Sequence, residues 1–269
     1  MYVNIFMKVN LFMKIKKIKK LSNNKYKIEF VEGESITTYD NVILENNILL
    51  KKEIDIETYK KLFDQNTYYE IYNKAVKYIV TKLRSEKEIK EYLKKYTDDK
   101  NITEKIINQL KNENLLNDER YIRSFIADKI NLTTWGPYKI TKELNKLDMD
   151  EEIVDNILSL YDFKIFEEKI KKIITKKQKL NKKDSLYMLK QKIERDLFDL
   201  GYPKDMIVDN LSLISLDEND ILKKEYEKLY RKLSIKYHDQ ELYHQIKNKL
   251  ISKGFSISSI NETLENIDK

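Results

Sequence analysis

The chain has no cysteine, two prolines, one tryptophan and only four glycines in 269 residues. Without cysteine there can be no disulfide, no thiolate zinc site and no cysteine nucleophile, a composition that suits a reducing compartment. Gly33, Gly136, Gly201 and Gly254 are too widely spaced for a phosphate-cradling loop or a dinucleotide fingerprint, both of which need clustered glycines. No apolar run approaches 18 residues, which argues against a membrane span. The N-terminal stretch also lacks the long apolar segment and small-residue cleavage site of a secretion signal, so the expected location is the cytoplasm. What is present is charge: 52 basic and 45 acidic residues give a net charge of +7. That balance fits a polyanionic partner, and it equally fits the solvated faces a charge-rich helical protein needs.

The apolar residues carry a repeat. Residues 89–110, 140–158, 193–211 and 246–264 share one skeleton, each opening with Ile-x-x-x-Leu: Ile89 and Leu93, Ile140 and Leu144, Ile193 and Leu197, Ile246 and Leu250. In the last three a second apolar pair follows: Val154 and Leu158, Ile207 and Leu211, Ile260 and Leu264. In the first, Ile106 and Leu110 come three positions later, as though Asp98-Asp99-Lys100 had been inserted. By subtraction, the starts lie 51, 53 and 53 residues apart. A period of this size denotes stacked supersecondary units that bury apolar faces against their neighbours. A further helix precedes each pair, at residues 75–83, 121–130, 165–174 and 226–233, so each unit has three helices. The fold expected is mainly α: tandem three-helix repeats in an elongated curved array, with a small N-terminal β-rich module. The divisions are 1–54 for the β-hairpin-rich module, 55–116 for a linker helix and repeat 1, and 117–161, 162–216 and 217–269 for repeats 2, 3 and 4.

Before residue 55 the period is two. Tyr26, Ile28 and Phe30 alternate with Lys25, Lys27 and Glu29, and Glu32-Gly33-Glu34 offers a turn, which predicts a hairpin. Residues 42–44 and 48–50 are expected as a second pair of short strands. Met13 opens a stretch resembling a bacterial protein start, so the residues before it are expected to be an upstream extension. Later, Ser85 with Glu88 three positions on forms a capping box. Pro137 and Pro203 fit first helical positions, where a missing N–H costs nothing. The polar stretch 175–185 is expected to extend its helix.

Catalysis finds little support. His238 and His244 are six apart, off the i, i+4 spacing of a helical zinc pair, and are expected on the surface. Asp98-Asp99 and Asp118-Glu119 could hold a divalent ion for phosphodiester cleavage. A connection between helices and an acidic helix start explain them with less assumption, because no base, nucleophile and orienting group are linked by spacing. No enzyme activity, metal or cofactor is expected. Trp135, beside Gly136-Pro137, either packs in a turn or exposes a ring for a partner or a base. The basic residues group into Lys82 and Arg84, Lys139 and Lys142, and a helical ridge of Lys169, Lys172, Lys176 and Lys177. Such a ridge faces either phosphate or solvent, with Glu167 and Glu168 as its balance.

Two blocks, Leu83-Arg84-Ser85-Glu86-Lys87-Glu88-Ile89 and Leu115-Leu116-Asn117-Asp118-Glu119-Arg120-Tyr121, resemble the RecX family of recombination regulators. Gly136-Pro137-Tyr138-Lys139-Ile140 with Glu143-Leu144, and Lys176-Lys177 with Leu200-Gly201-Tyr202, resemble its second and third blocks. The likeness spans residues 71–264. The fourth unit, with Gly254-Phe255, and the β-rich N-terminus are similar to the longer members from low-GC Gram-positive bacteria. Two positions depart from the pattern: Ile122 stands where alanine is common, and Leu147-Asp148 stands where a glycine turn is usual. The resemblance implies a monomeric, non-enzymatic protein. It would bind the RecA recombinase filament on single-stranded DNA and modulate ATP hydrolysis and strand exchange, as an inhibitor. The basic residues above and Trp135 are then the candidate filament or DNA contacts. The rival reading is a helical-repeat protein that binds nucleic acid directly and competes for single strands.

Overall fold

The computed structural model describes residues 12–267, with side chains as far as Leu264. The expected upstream extension falls on residues 1–12, of which 1–11 lie outside the described residues. The chain divides into two compact units, Met1–Tyr121 and Ile122–Lys269.

The first unit begins with an antiparallel sheet of strand order β3-β2-β1-β4, built from β1 (Phe12–Lys20), β2 (Lys25–Phe30), β3 (Ile36–Tyr39) and β4 (Glu53–Asp55). The predicted hairpin is β2–β3, turning near Gly33 at φ 95°. The second strand pair is not formed. Residues 42–44 lie in helix α1 (Asp40–Glu45), and Ile48–Leu50 is a 3₁₀ turn. Val42 and Ile43 are buried side by side while Leu44, Leu49 and Leu50 are exposed, so the two-residue alternation of a half-buried strand is missing. Asp40 supplies an acidic group at the positive helix end, and Asn47 takes φ 52° to turn the chain into the 3₁₀ segment.

Helix α2 (Ile56–Ile79) starts where Asp55 accepts the Thr58 N–H at 2.6 Å. It packs on the sheet and on α3 (Glu86–Leu93) and α4 (Lys100–Asn112). One core therefore includes Ile28 and Ile54 of the sheet, Leu62 and Ala75 of α2, and Ile89 and Leu110 of the first helical repeat. The capping box at α3 is formed as its spacing predicts. Ser85 Oγ accepts the Glu88 N–H at 3.1 Å, and the Glu88 carboxylate accepts the Ser85 N–H at 3.0 Å. Asp99, from the inserted triplet, caps α4 by accepting the N–H groups of Asn101 and Ile102.

The second unit holds most of α5 (Asp118–Leu132), then α6 (Pro137–Asn145), α7 (Glu151–Leu158), α8 (Lys164–Leu180), α9 (Leu186–Asp199), α10 (Lys204–Ser212), α11 (Asn219–Leu233), α12 (Asp239–Ser252) and α13 (Ile257–Ile267). Helices α6, α9 and α12 close alike. Asp148, Gly201 and Gly254 take φ 56°, 81° and 82°, and the next residue's N–H reaches back to Leu144, Leu197 or Leu250 at 3.4, 3.1 and 3.2 Å. Asp148 thus adopts the glycine conformation, which aspartate is among the few residues to tolerate. Pro137 is the first residue of α6, whereas Pro203 sits one place earlier than expected, as the N-cap of α10. The 175–185 stretch divides: α8 continues to Leu180, then Asn181 accepts the Asp184 N–H at 3.0 Å and turns the chain into the Ser185 cap of α9. His238 and His244 are both exposed.

Candidate functional site

The middle helices of the first three repeats begin against later parts of the chain. The first residue of α3, Glu86, donates its N–H to Asp118 at 3.1 Å, 32 residues on. The first residue of α9, Leu186, donates likewise to Glu218 at 2.7 Å, also 32 residues on. In α6 the first residue is Pro137, which has no N–H to donate, and the residue 32 positions later (137 + 32 = 169) is Lys169 rather than an acid. Its ammonium is aimed at the end of α5 instead, donating to Thr133 O at 2.9 Å and Lys129 O at 3.5 Å. A cation there complements the negative end of the α5 dipole.

The segment between α5 and α6 is consequently held on several sides. Thr133 Oγ1 donates to Lys129 O at 2.6 Å and accepts the Trp135 N–H at 3.2 Å. The Tyr202 hydroxyl donates to Thr134 O at 2.9 Å, and burial pushes its pKa up to about 12, so it remains a donor. Gly136 N–H donates to Leu200 O at 2.7 Å, and Tyr138 N–H to Gly201 O at 3.0 Å. The same kind of junction recurs where Ser185 Oγ donates to Lys253 O at 2.8 Å.

On this fixed segment the half-buried Trp135 ring lies close to two ammonium groups, Lys129 Nζ at 4.7 Å and Lys139 Nζ at 5.1 Å from its centre. Lys129 also lies 4.9 Å from the Phe125 ring. Both contacts are within cation–π range. Lys139 lines a cleft of about 530 Å³ together with Thr134, Lys176, Lys177, Leu180, Asp196 and Asp199. Lys171, Lys172, Lys176 and Lys179 line a second groove along α8 itself.

The candidate residues named from sequence separate here into two groups. Lys139, Lys176 and Lys177 come together at the cleft, Lys177 in an ion pair with Asp196, and Trp135 adjoins it through Lys139. Lys172 is exposed beside them, and Lys142 is exposed on α6 outside the cleft lining. Lys169 is half-buried, and burial, with Lys172 nearby, lowers its pKa; its donors serve the α5 terminus. In the first unit Lys82 is exposed. Arg84 is fixed, stacked 4.0 Å over Tyr78 and ion-paired with Glu88 at 3.2 Å. Sequence reasoning missed Lys129. Its signal was a lysine in the last turn of a helix, one loop before the only tryptophan.

The acidic pairs have structural positions: Asp99 caps α4, and Asp118 takes the Glu86 N–H. Among the described residues no three His, Asp or Glu side chains gather as a metal site would require, and no helix is long and apolar enough to cross a membrane. Ammonium groups around an aromatic ring can neutralise phosphate and stack a base, or receive a carboxylate-bearing loop.

Comparison with known proteins agrees with the helical repeat. A family described as RecX, second three-helix domain, matches residues 117–158. The regulatory protein RecX of Streptococcus agalactiae serotype III is 32% identical over 259 residues, covering 92% of this chain and 98% of that protein. The regulatory protein RecX of Halalkalibacterium halodurans is 26% identical over 92% of this chain and 97% of its own length. Among solved structures, one of regulatory protein RecX matches with a TM-score of 0.66 at 22% identity, over 73% of this chain and 99% of that one. The RecX structure from Lactobacillus salivarius matches with 0.52 at 29% identity, over 56% of this chain and 99% of that one. A full-length relative above 30% identity, together with the shared helical fold, identifies the chain as a member of the RecX family of regulatory proteins.

Proposed function

We propose that this protein binds the RecA recombinase filament on single-stranded DNA and restrains its ATP hydrolysis and strand exchange, without chemistry of its own. It acts in the cytoplasm as a monomer, with residues 55–116, 117–161, 162–216 and 217–269 as its four repeats. The observation that carries the reading is the Trp135 ring close to the ammonium groups of Lys129 and Lys139, of which Lys139 also lines a cleft with Lys176 and Lys177. Two ammonium groups close to one ring set up a positive potential beside it that favours an anionic group. The family membership supports a regulatory role. Lys139, Lys176 and Trp135 are the contacts we assign; Lys169 and Arg84 serve the fold.

The test is fluorescence anisotropy on labelled single-stranded DNA with and without the recombinase and a slowly hydrolysed ATP analogue. Trp135, the only tryptophan, gives a second readout from the protein side. Tighter binding to the filament than to bare DNA, with the filament preference reduced by Lys139→Gln with Lys176→Gln, is the expected result. Equal affinity for bare and coated DNA would replace this reading with direct competition for single strands.

A further inference from the structure

The sheet of the first unit has a second face that the helical repeats do not explain. Met13, Ile15 and Ile18 of β1 pack toward the core with Ile28 and Ile36. Ile15 and Ile18 are three apart, which would place them on opposite faces of a regular strand. A register shift between Ile15 and Lys17 inserts one extra residue, so both isoleucines stay on the buried side and both Lys16 and Lys17 remain exposed. With Lys14 and Lys19 of β1, and Lys25 and Lys27 of β2, the outer face carries six lysines against three carboxylates, Glu29, Glu53 and Asp55, the last engaged by the Thr58 N–H. Register pairs Lys17 with Glu29 and Lys14 with Glu53, but it sets Lys19 directly opposite Lys27. Like charges in that position destabilise a sheet. Lys27 finds only a marginal ion pair, 3.5 Å from Glu29.

The paired carboxylates face Lys14 and Lys17, whereas Lys16, Lys19, Lys25 and Lys27 have no carboxylate directly across the ladder. Lysines two apart along a strand project the same way roughly 6.6 Å apart, and neighbouring strands lie about 4.8 Å apart. Rows so spaced suit successive phosphates of an extended single strand. Phe12, 52% exposed, at one end of β1 and the Tyr39 ring beneath Lys25 at 4.8 Å provide aromatic surface near two margins. We infer that the outer face of this sheet binds the phosphodiester backbone of single-stranded DNA, as a contact separate from the Trp135 cleft. The inference does not depend on recombinase binding.

The experiment uses the full chain and a labelled oligothymidylate, with affinity followed across a salt series. Each lysine that contacts a phosphate contributes about 0.7 to the slope of log K against log salt. The variant Lys17→Gln/Lys19→Gln/Lys27→Gln should therefore have a slope shallower by about two and bind at least about tenfold more weakly at moderate salt. Its thermal unfolding should be unchanged or shifted upward, since the Lys19–Lys27 opposition is gone. A slope equal to the parent's, or a parent that does not bind bare oligothymidylate, overturns the inference. Loss of recombinase-filament binding with the DNA slope intact also overturns it and assigns the face to a protein partner.

Discussion

At the scale of single residues, glycine positions decide whether neighbouring repeats can meet. Gly136 has an ordinary φ of −85°, so its smallness is demanded by proximity alone. A Cβ there would lie 2.5 Å from Gly201 O, a backbone atom that cannot swing aside. Gly136→Ala should destabilise the second unit by about 1–3 kcal/mol, as overpacking does. Denaturant midpoints of parent and variant measure this, and equal midpoints would mean the junction gives way freely. Gly201 is constrained twice, by φ 81° and by Lys139 backbone N at 2.3 Å from a built Cβ. Both glycines are visible in the sequence as the likeness to known blocks, but their reason is not. A contact between residues 65 positions apart leaves no periodic trace.

At the scale of elements, the acid that receives the first N–H of a middle helix is a recurring device with a pH signature. Burial raises the Asp118 pKa, and the Glu86 N–H only partly offsets it. A raised folded-state pKa means that the stability present below the unfolded value is lost as pH rises through the folded value. Asp118→Asn retains an acceptor for Glu86 without the charge. Its stability relative to the parent should therefore improve between pH 3 and pH 6, and urea midpoints across that window test it; a constant difference would contradict the burial argument. Neighbouring Glu86 moves the other way. Burial would raise it, but Lys111 and Lys90 prevail and lower it, so its contribution is lost on acidification. The helices of the repeats were legible because their apolar residues recur at three and four, and the caps at Ser85 and Pro137 because their chemistry is local. Strand β1 was not read because its bulge breaks the period of two between Ile15 and Ile18. The segment 42–44 was misread because two adjacent buried residues, Val42 and Ile43, suit a short helix as well as a strand. At the cleft, Trp135 and Lys139 could be named from sequence, whereas the approach of Lys129 to the ring depends on how the intervening loop folds. The lysine ridge of α8 was visible as a ridge, yet only the three-dimensional arrangement turns Lys169 toward carbonyls while leaving Lys176 at the cleft.

At the scale of the molecule, units that lean on their successors should lose stability when a successor is removed. Truncation before residue 217 would remove Glu218 and Lys253, the partners of the Leu186 N–H and the buried Ser185 hydroxyl. Leu189, Ile193 and Leu197 would keep α9 in place. We expect the truncated chain to remain helical by circular dichroism, to expose the start of α9 to proteolysis, and to bind the recombinase filament more weakly. Undiminished affinity would argue that the fourth repeat makes no contact. The first unit has another kind of continuity. Helix α2 is 24 residues long, which is about 36 Å, and one core joins the sheet beneath its start to the helices around its end. It behaves as a lever. Whatever tilts the sheet, such as a strand of DNA drawn taut across its lysines, must swing the first repeat with it, because one continuous core binds both to α2.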